Sequence, residues 1–197
     1  MLKTQTSDPM ATFLQWLDEA KACDQIPMAK VMTLATVDEH GAPAARMVLL
    51  KDCDERGLTF YTNLGSAKAQ HLQRHPKAAL CFYWGPLNRQ VRISGDVERV
   101  DDQEADACFA GRPRLSQIGA WASRQSQPLG GRWELERRIA RYTARFHVGQ
   151  VPRPTFWSGF RVIPRQIEFW SNRPGRLHER VVYTCEAEGW RCENLYP

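Results

Sequence analysis

Apolar residues recur first with helical spacing and then with the two-residue period of strands. In PMATFLQWL, Phe13, Leu14 and Leu17 form one stripe, with Ser7 or Asp8 placed to cap a helix and Pro9 in its first turn. KVMTLATV (30–37), ARMVLLKD (45–52) and LTFYTN (58–63) alternate with the short polar turns DEHGAP and CDERG, which predicts an antiparallel meander of three strands. Gly65 and Ser66 open a helix that runs to about Arg74, and KAALCFYW (77–84) and RQVRISGDVERV (89–100) add two longer strands around GPLN. Five strands without a crossover favour a barrel.

Asp101 or Asp102 is placed to cap a helix over DQEADACFAG, and a second short helical piece spans Arg112 to Trp121. A polar loop over 124–131 precedes a charged helix over 133–146, with Leu135, Ile139 and Tyr142 as its buried side. Prolines force QVPRPTFW to be extended. FRVIPRQIEFW, RVVYTCEAEG and GWRCENLYP then form a final meander that completes the barrel. The predicted class is mostly β with flanking helices (α+β), antiparallel, with 1–197 as a single domain and 1–7 as a flexible N-terminus.

Composition narrows the chemistry. A chain of 197 residues can bury a core without staples. Its six scattered cysteines, without a C-x-x-C pair, read as free thiols, and its five histidines lack the spacing of a zinc site, so no metal is expected. No apolar run nears the roughly 18 residues of a membrane span, and the start has no signal-like apolar core, so a soluble, cytoplasmic protein with no membrane partner is expected. The net charge of +5 permits nucleic-acid binding, but the 27 Lys and Arg residues are interleaved with acids rather than gathered. No nucleic-acid partner is expected. Individually placed cations suit the phosphate groups of small molecules.

Four stretches are candidates for a site. In RMVLLK, alternation puts Arg46, Val48 and Leu50 on one face and Met47, Leu49 and Lys51 on the other, as a half-buried strand with cationic ends or as a ligand surface. YTNLGSAK joins a strand end, a glycine turn and a helix start, where free N–H groups favour an anion; an ordinary helix capped by Ser66 is the alternative. In GRPRLS, Arg112 and Ser116 lie four apart and would face the same way in a helical turn. In EFWSNRPGRLHER, Arg176, His178 and Arg180 alternate and would share a strand face, either as an edge protected by charge or as a binding surface.

RMVLLKDCDERGLTFYTNLGSAK (46–68), RQVRISG (89–95), GRPRLSQIGAWASRQS (111–126), FWSGFRV (156–162) and IEFWSNRPGRLHER (167–180) together follow, in order, the pattern of the pyridoxamine 5′-phosphate oxidase family. The chain resembles that family over nearly everything from about Phe13 onward. The resemblance implies a split β-barrel working as a homodimer, with flavin mononucleotide (FMN) in clefts between subunits. It implies that Arg46, Met47, Val48, Leu49, Leu50 and Lys51 run beside the flavin. Tyr61, Thr62, Ser66 and Lys68 would bind it too, together with Gln90, Gln125, Ser126, Trp170 and Arg180.

Substrate contacts implied by the same resemblance are Lys51, Arg112 and Ser116 around a phosphate, with Arg176, Leu177 and His178. There are two departures. Ala67 stands where family members usually carry arginine, which removes one guanidinium from the flavin phosphate. Cys108 stands where they usually carry tyrosine, which leaves a weaker substrate contact. The implied reaction is oxidation of pyridoxamine or pyridoxine 5′-phosphate at C4′, with hydride passing to flavin N5 and O2 reoxidising the cofactor. Pyridoxal 5′-phosphate and H2O2 would leave, with ammonia from the amine. Arg176 and His178 are the implied catalytic pair, Arg176 orienting substrate and influencing proton transfer and His178 shaping the pocket. Two other readings stand beside this one: a related flavin oxidase of another ring system, such as phenazine precursors, and a non-catalytic carrier of FMN or pyridoxal phosphate.

Overall fold

The computed structural model describes residues 8–197; the segment 1–7, expected to be flexible and containing the alternative cap Ser7, lies outside the described residues. Asp8 caps helix α1 (Pro9–Ala22), its carboxylate accepting from the Met10 N–H at 2.8 Å. The helix buries Phe13, Trp16, Leu17 and Ala20. Leu14, expected in the stripe, is 38% exposed because the buried face follows the 13, 16, 17, 20 spacing and leaves position 14 beside it.

Nine strands follow: β1 (Val31–Val37), β2 (Pro43–Leu49), β3 (Asp52–Asp54), β4 (Gly57–Asn63), β5 (Lys77–Trp84), β6 (Arg89–Arg99), β7 (Trp157–Ser171), β8 (Glu179–Glu186) and β9 (Gly189–Leu195). They form one sheet in the order β2-β1-β5-β6-β7-β4-β3, with β8 beside β7 and β9 beside β8. The two ends of that path are neighbours in sequence. At Leu50 the chain still bonds to the β1 side (Leu50 N–H to Lys30 O, 2.9 Å), and at Lys51 it already bonds to β4 (Lys51 N–H to Thr59 O, 2.9 Å). The sheet therefore curls into a barrel whose seam is the chain itself.

Three expectations change. The predicted turn over CDERG begins with strand β3, and β4 pairs with β3 and β7, not with β2. The three-strand meander is thus replaced by two hairpins separated in the sheet, and β1 crosses over to pair with β5. β7 is long enough, at fifteen residues, to pair with β4 over its first part and with β8 over its last. Finally, β8 and β9 extend from β7 and do not complete the barrel.

One edge of β7 lies along β6, while the other is shared between β4 (157–162) and β8 (166–171). The changeover coincides with a bulge at Ser94/Gly95 opposite Pro164. Only glycine fits there, because a Cβ on Gly95 would overlap the Ile163 carbonyl.

Phe13, Phe60, Phe82, Trp84 and Phe169 head the main core inside the barrel. A second, smaller cluster of Phe109, Ile118, Val151 and Trp157 lies where helices α3 (Asp102–Ala110) and α4 (Arg114–Ala122) pack near the start of β7. Helix α2 (Ala67–Arg74) packs on β1. Helix α5 (Glu134–Arg145) lies along α4 with no fully buried residue: Ile139 and Tyr142 pack on the small cluster as expected, whereas Leu135 is 38% exposed. Among the described residues, no helix is long and apolar enough to cross a membrane.

Candidate active site

The β2 alternation is as expected: Arg46 and Val48 are half-buried and Leu50 buried, while Met47 (61%), Leu49 (52%) and Lys51 are exposed. Arg46 lies opposite Leu34, and one of its guanidinium nitrogens donates to Leu34 O (3.1 Å), Ala44 O (2.9 Å) and Thr36 Oγ1 (2.6 Å). Thr36 in turn bonds to Nδ1 of His71 on α2 (3.0 Å). Arg46, Thr36 and His71 thus form one hydrogen-bonded row from β2 through β1 to α2.

Ser66 occupies the N-cap position of α2 but makes no capping bond. Its hydroxyl instead lies 3.3 Å from Lys68 Nζ and 3.4 Å from Thr62 Oγ1, and Lys68 also donates to Thr62 Oγ1 at 3.3 Å. Two loop side chains join this cluster: Gln125 Oε1 accepts from Thr62 Oγ1 at 3.1 Å, and Ser126 Oγ accepts from the Ala67 N–H at 3.3 Å. Burial lowers the pKa of Lys68, and the positive charge of Arg46 lowers it further. Among the described residues neither cation has a carboxylate partner. The deeply set Arg153 and Arg161, by contrast, are each held by two acids. Two half-buried positive charges beside two hydroxyls and a helix N-terminus are a donor set of the kind that suits a phosphate dianion.

Next to it is a cleft of about 370 Å³ lined by Tyr61, Thr62, Arg112, Ser116, Gln125 and Trp157, among others. Arg112 precedes α4, which starts at Arg114, so the two residues do not share a helical turn as expected; they meet because the guanidinium folds back to Ser116 O at 3.5 Å. Desolvation lowers the pKa of Arg112, and its Nε is buried without a partner. Cys108 and the Tyr61 hydroxyl are within hydrogen-bonding reach, and burial raises the pKa of both, so a neutral thiol and a neutral phenol lie beside Arg112. The Tyr61 phenol thus lies against the position where the resemblance leads one to expect tyrosine and Cys108 stands. Lys51 is exposed and close enough to lower the Cys108 pKa.

The remaining candidates form a separate group. Gln90, Trp170 and Arg180 make one cross-strand row over β6, β7 and β8. Arg180 is anchored by buried Glu168 (2.8 Å), which also accepts from Arg92 (2.6 Å). The Met47 side of β2 continues through Thr33, Cys81 and Arg92 to Glu168, so Met47 and Leu49 share this outer face of the sheet.

Arg176 and His178 are not on a strand with Arg180. Gly175 (φ 68°) and Arg176 (φ 61°) are left-handed after Pro174, and β8 begins only at Glu179. Arg176 and Leu177 (72%) are exposed on this turn. The His178 ring lies 4.7 Å from that of Trp170 and accepts the Arg173 N–H at Nδ1 (3.3 Å), which leaves Nε2 as the donor of the neutral ring.

The two groups lie near opposite ends of β7. Trp157 and Trp170 are thirteen residues apart along the strand, roughly 40 Å of chain path at ~3.3 Å per residue. Thr36, His71, Trp157 and Glu168 are contributors that the sequence pattern does not single out. Thr36 and Glu168 read as ordinary strand positions, while the only signal for Trp157 was an aromatic residue just after a proline-rich extension.

Comparison with known proteins agrees with this geometry. Residues 18–146 match the family model "Pyridoxamine 5'-phosphate oxidase", and residues 157–197 match "Pyridoxine 5'-phosphate oxidase C-terminal dimerisation region". The chain is 57% identical to the pyridoxine/pyridoxamine 5′-phosphate oxidase of Azorhizobium caulinodans, covering 98% of this chain and 92% of the relative. Its identity to the protein of that name from Mesorhizobium japonicum is 54%, covering 98% and 95%. Among solved structures, PhzG from Burkholderia lata 383, in complex with tetrahydrophenazine-1-carboxylic acid, superposes with a TM-score of 0.92 at 30% identity, covering 98% of this chain and 94% of that one. With a split barrel, two matching family regions that together span most of its length and relatives more than half identical over nearly the whole chain, the chain belongs to the pyridoxamine 5′-phosphate oxidase family.

Proposed function

We infer that the protein oxidises pyridoxamine 5′-phosphate and pyridoxine 5′-phosphate to pyridoxal 5′-phosphate, using FMN and O2 and releasing H2O2, as a homodimer. The observation that carries this reading is the pair of neighbouring cation sites without carboxylates, Arg46 with Lys68 and Arg112 with its orphaned Nε. One suits the phosphate of the cofactor and the other that of the substrate. Bound FMN supplies a two-electron acceptor, and the residues of the chain bind and orient the reactants around it.

In this assignment Arg46, Ser66, Lys68 and Thr62 hold the flavin phosphate, with Gln125 and Ser126 closing over them. Val48, Leu50 and Tyr61 support that side from β2 and β4. Met47 and Leu49, with Gln90, Trp170 and Arg180 from the outer sheet face, cover the flavin ring, where exposed apolar side chains next to fixed donors suit a planar heterocycle. Lys51, Arg112 and Ser116 take the substrate phosphate, and Cys108 contributes a weak neutral contact. Arg176 and His178 are the proposed catalytic pair: Arg176 fixes the substrate and steadies charge as a proton leaves its amine or alcohol, while His178 presents Nε2–H to the ring. Leu177 covers the same pocket. Because Arg112 belongs to the group at the start of β7 and Arg176 to the group beyond its end, each pocket is assigned the second from one subunit and the first from its partner.

Residues 1–197 act as one domain in this proposal. Six free cysteines suit a reducing cytoplasm. Lys51 and Arg112 together suit a phosphate dianion better than the single carboxylate of a phenazine precursor.

The test is turnover of pyridoxine 5′-phosphate by protein supplied with FMN. Peroxide release and anaerobic bleaching of the flavin bands are expected. Ligand binding without bleaching would establish a carrier, and turnover confined to phenazine precursors would establish the other oxidase.

A further inference from the structure

Trp157 opens β7 and is 4% exposed, yet it lines the cleft. One side of its ring stacks on Tyr61, with centroids 5.0 Å apart and planes at 11°, and Phe109 meets it edge-on at 5.1 Å. The Arg112 guanidinium carbon lies 4.9 Å from its centroid. Among the described residues, that guanidinium makes one hydrogen bond, the long one to Ser116 O, and its buried Nε has no partner. A guanidinium this poorly bonded would ordinarily swing on its long stem, but an aromatic face attracts the cation and fixes its plane.

We propose that Trp157 is a positioning residue for the substrate phosphate: backed by Tyr61, its ring holds the Arg112 fork open to the cleft. This rests on the reading of Arg112 as a substrate phosphate ligand. It predicts a role in ground-state anchoring with little part in the redox step, because the stack acts on a group remote from the reacting carbon. The indole also excludes water from behind the guanidinium, which strengthens its bond to an incoming phosphate.

The test is a double-mutant cycle on the FMN-loaded protein, with KM and kcat for pyridoxine 5′-phosphate measured separately. Binding of the same ligand to the FMN-free protein, measured by equilibrium dialysis, supplies a readout independent of turnover. Trp157→Leu is expected to raise KM and Kd about tenfold while kcat stays within about threefold, and Trp157→Phe to recover most of the loss. In an Arg112→Ala background, Trp157→Leu should add almost nothing. Effects that multiply, or a Phe variant as impaired as Leu, would overturn the proposal. If the Leu variant does not fold, Trp157→Phe is compared in wild-type and Arg112→Lys backgrounds: a rise of about threefold in KM in the first and none in the second supports the role, and equal rises refute it. Absence of wild-type turnover would defeat the functional reading itself, whereas normal turnover with an unchanged KM in Trp157→Leu would defeat only this inference.

Discussion

The two halves of the site are built differently. Around α2 and the cleft, side chains are half-buried, linked to one another and held before any ligand arrives: Arg46 to Thr36, Lys68 to Ser66, Gln125 to Thr62. On the outer sheet face, Arg180 is fixed by Glu168, but Met47, Leu49, Arg176 and Leu177 stand exposed. The first half is a preformed cluster of cations and hydroxyls within one chain, and the second is an open surface. Exposed apolar area of this kind, in a chain whose C-terminal part matches a dimerisation region, becomes useful only when a partner closes over it.

The largest expected effect tests that division directly. Arg112→Ala and Arg176→Ala chains should each be nearly inactive alone at low substrate. Refolded together, they should recover about a quarter of the wild-type rate, since half the dimers are mixed and each mixed dimer holds one intact pocket of two. Failure to recover any activity would place both arginines in one chain's pocket. Next, Lys68→Ala should weaken FMN binding about 30-fold, read from quenching of flavin fluorescence, because it removes a charge-assisted bond from a preformed cluster.

A pH titration sharpens the same point. Burial and Arg46 hold the free Lys68 below the usual lysine value of 10.5, and a bound phosphate favours its charged form. FMN affinity should therefore be full below the free-state pKa and fall as pH rises through it. That fall should come at lower pH than an ordinary lysine would give, and it should vanish in Lys68→Arg. The smallest effect belongs to the open half. Asparagine accepts the left-handed backbone of position 176 more readily than arginine does, so Arg176→Asn should raise Tm by about 2 °C while impairing substrate use. A lower Tm would mean that the Arg176 side chain stabilises the turn.

Local pattern was sufficient for most strands and for the parity of RMVLLK, because a two-residue period reports directly which side faces the core. It failed where a partner distant in sequence decides. Nothing within 57–63 states that β4 will choose β7, and nothing in RLHER reveals that Arg176 is left-handed and that the strand starts only at Glu179. The site residues were legible chiefly through family resemblance. Arg112 and Ser116 were rightly brought together, though for the wrong local reason. The supporting residues Thr36, His71, Glu168 and Trp157 were not legible, since each acts through a neighbour that only the folded chain supplies.

The handover between Leu50 and Lys51 has a consequence for how the molecule opens. A barrel sealed by peptide bonds, not by a hydrogen-bonded edge, cannot unzip at that line, so transient breathing has to begin elsewhere, with β9 at the outer margin as the natural place. The amides of Leu50 and Lys51 should exchange with deuterated solvent only in rare whole-molecule excursions. The cation assigned to grip the vitamin phosphate would then ride on one of the slowest-exchanging stretches of backbone, well placed to stay put while its surroundings fluctuate.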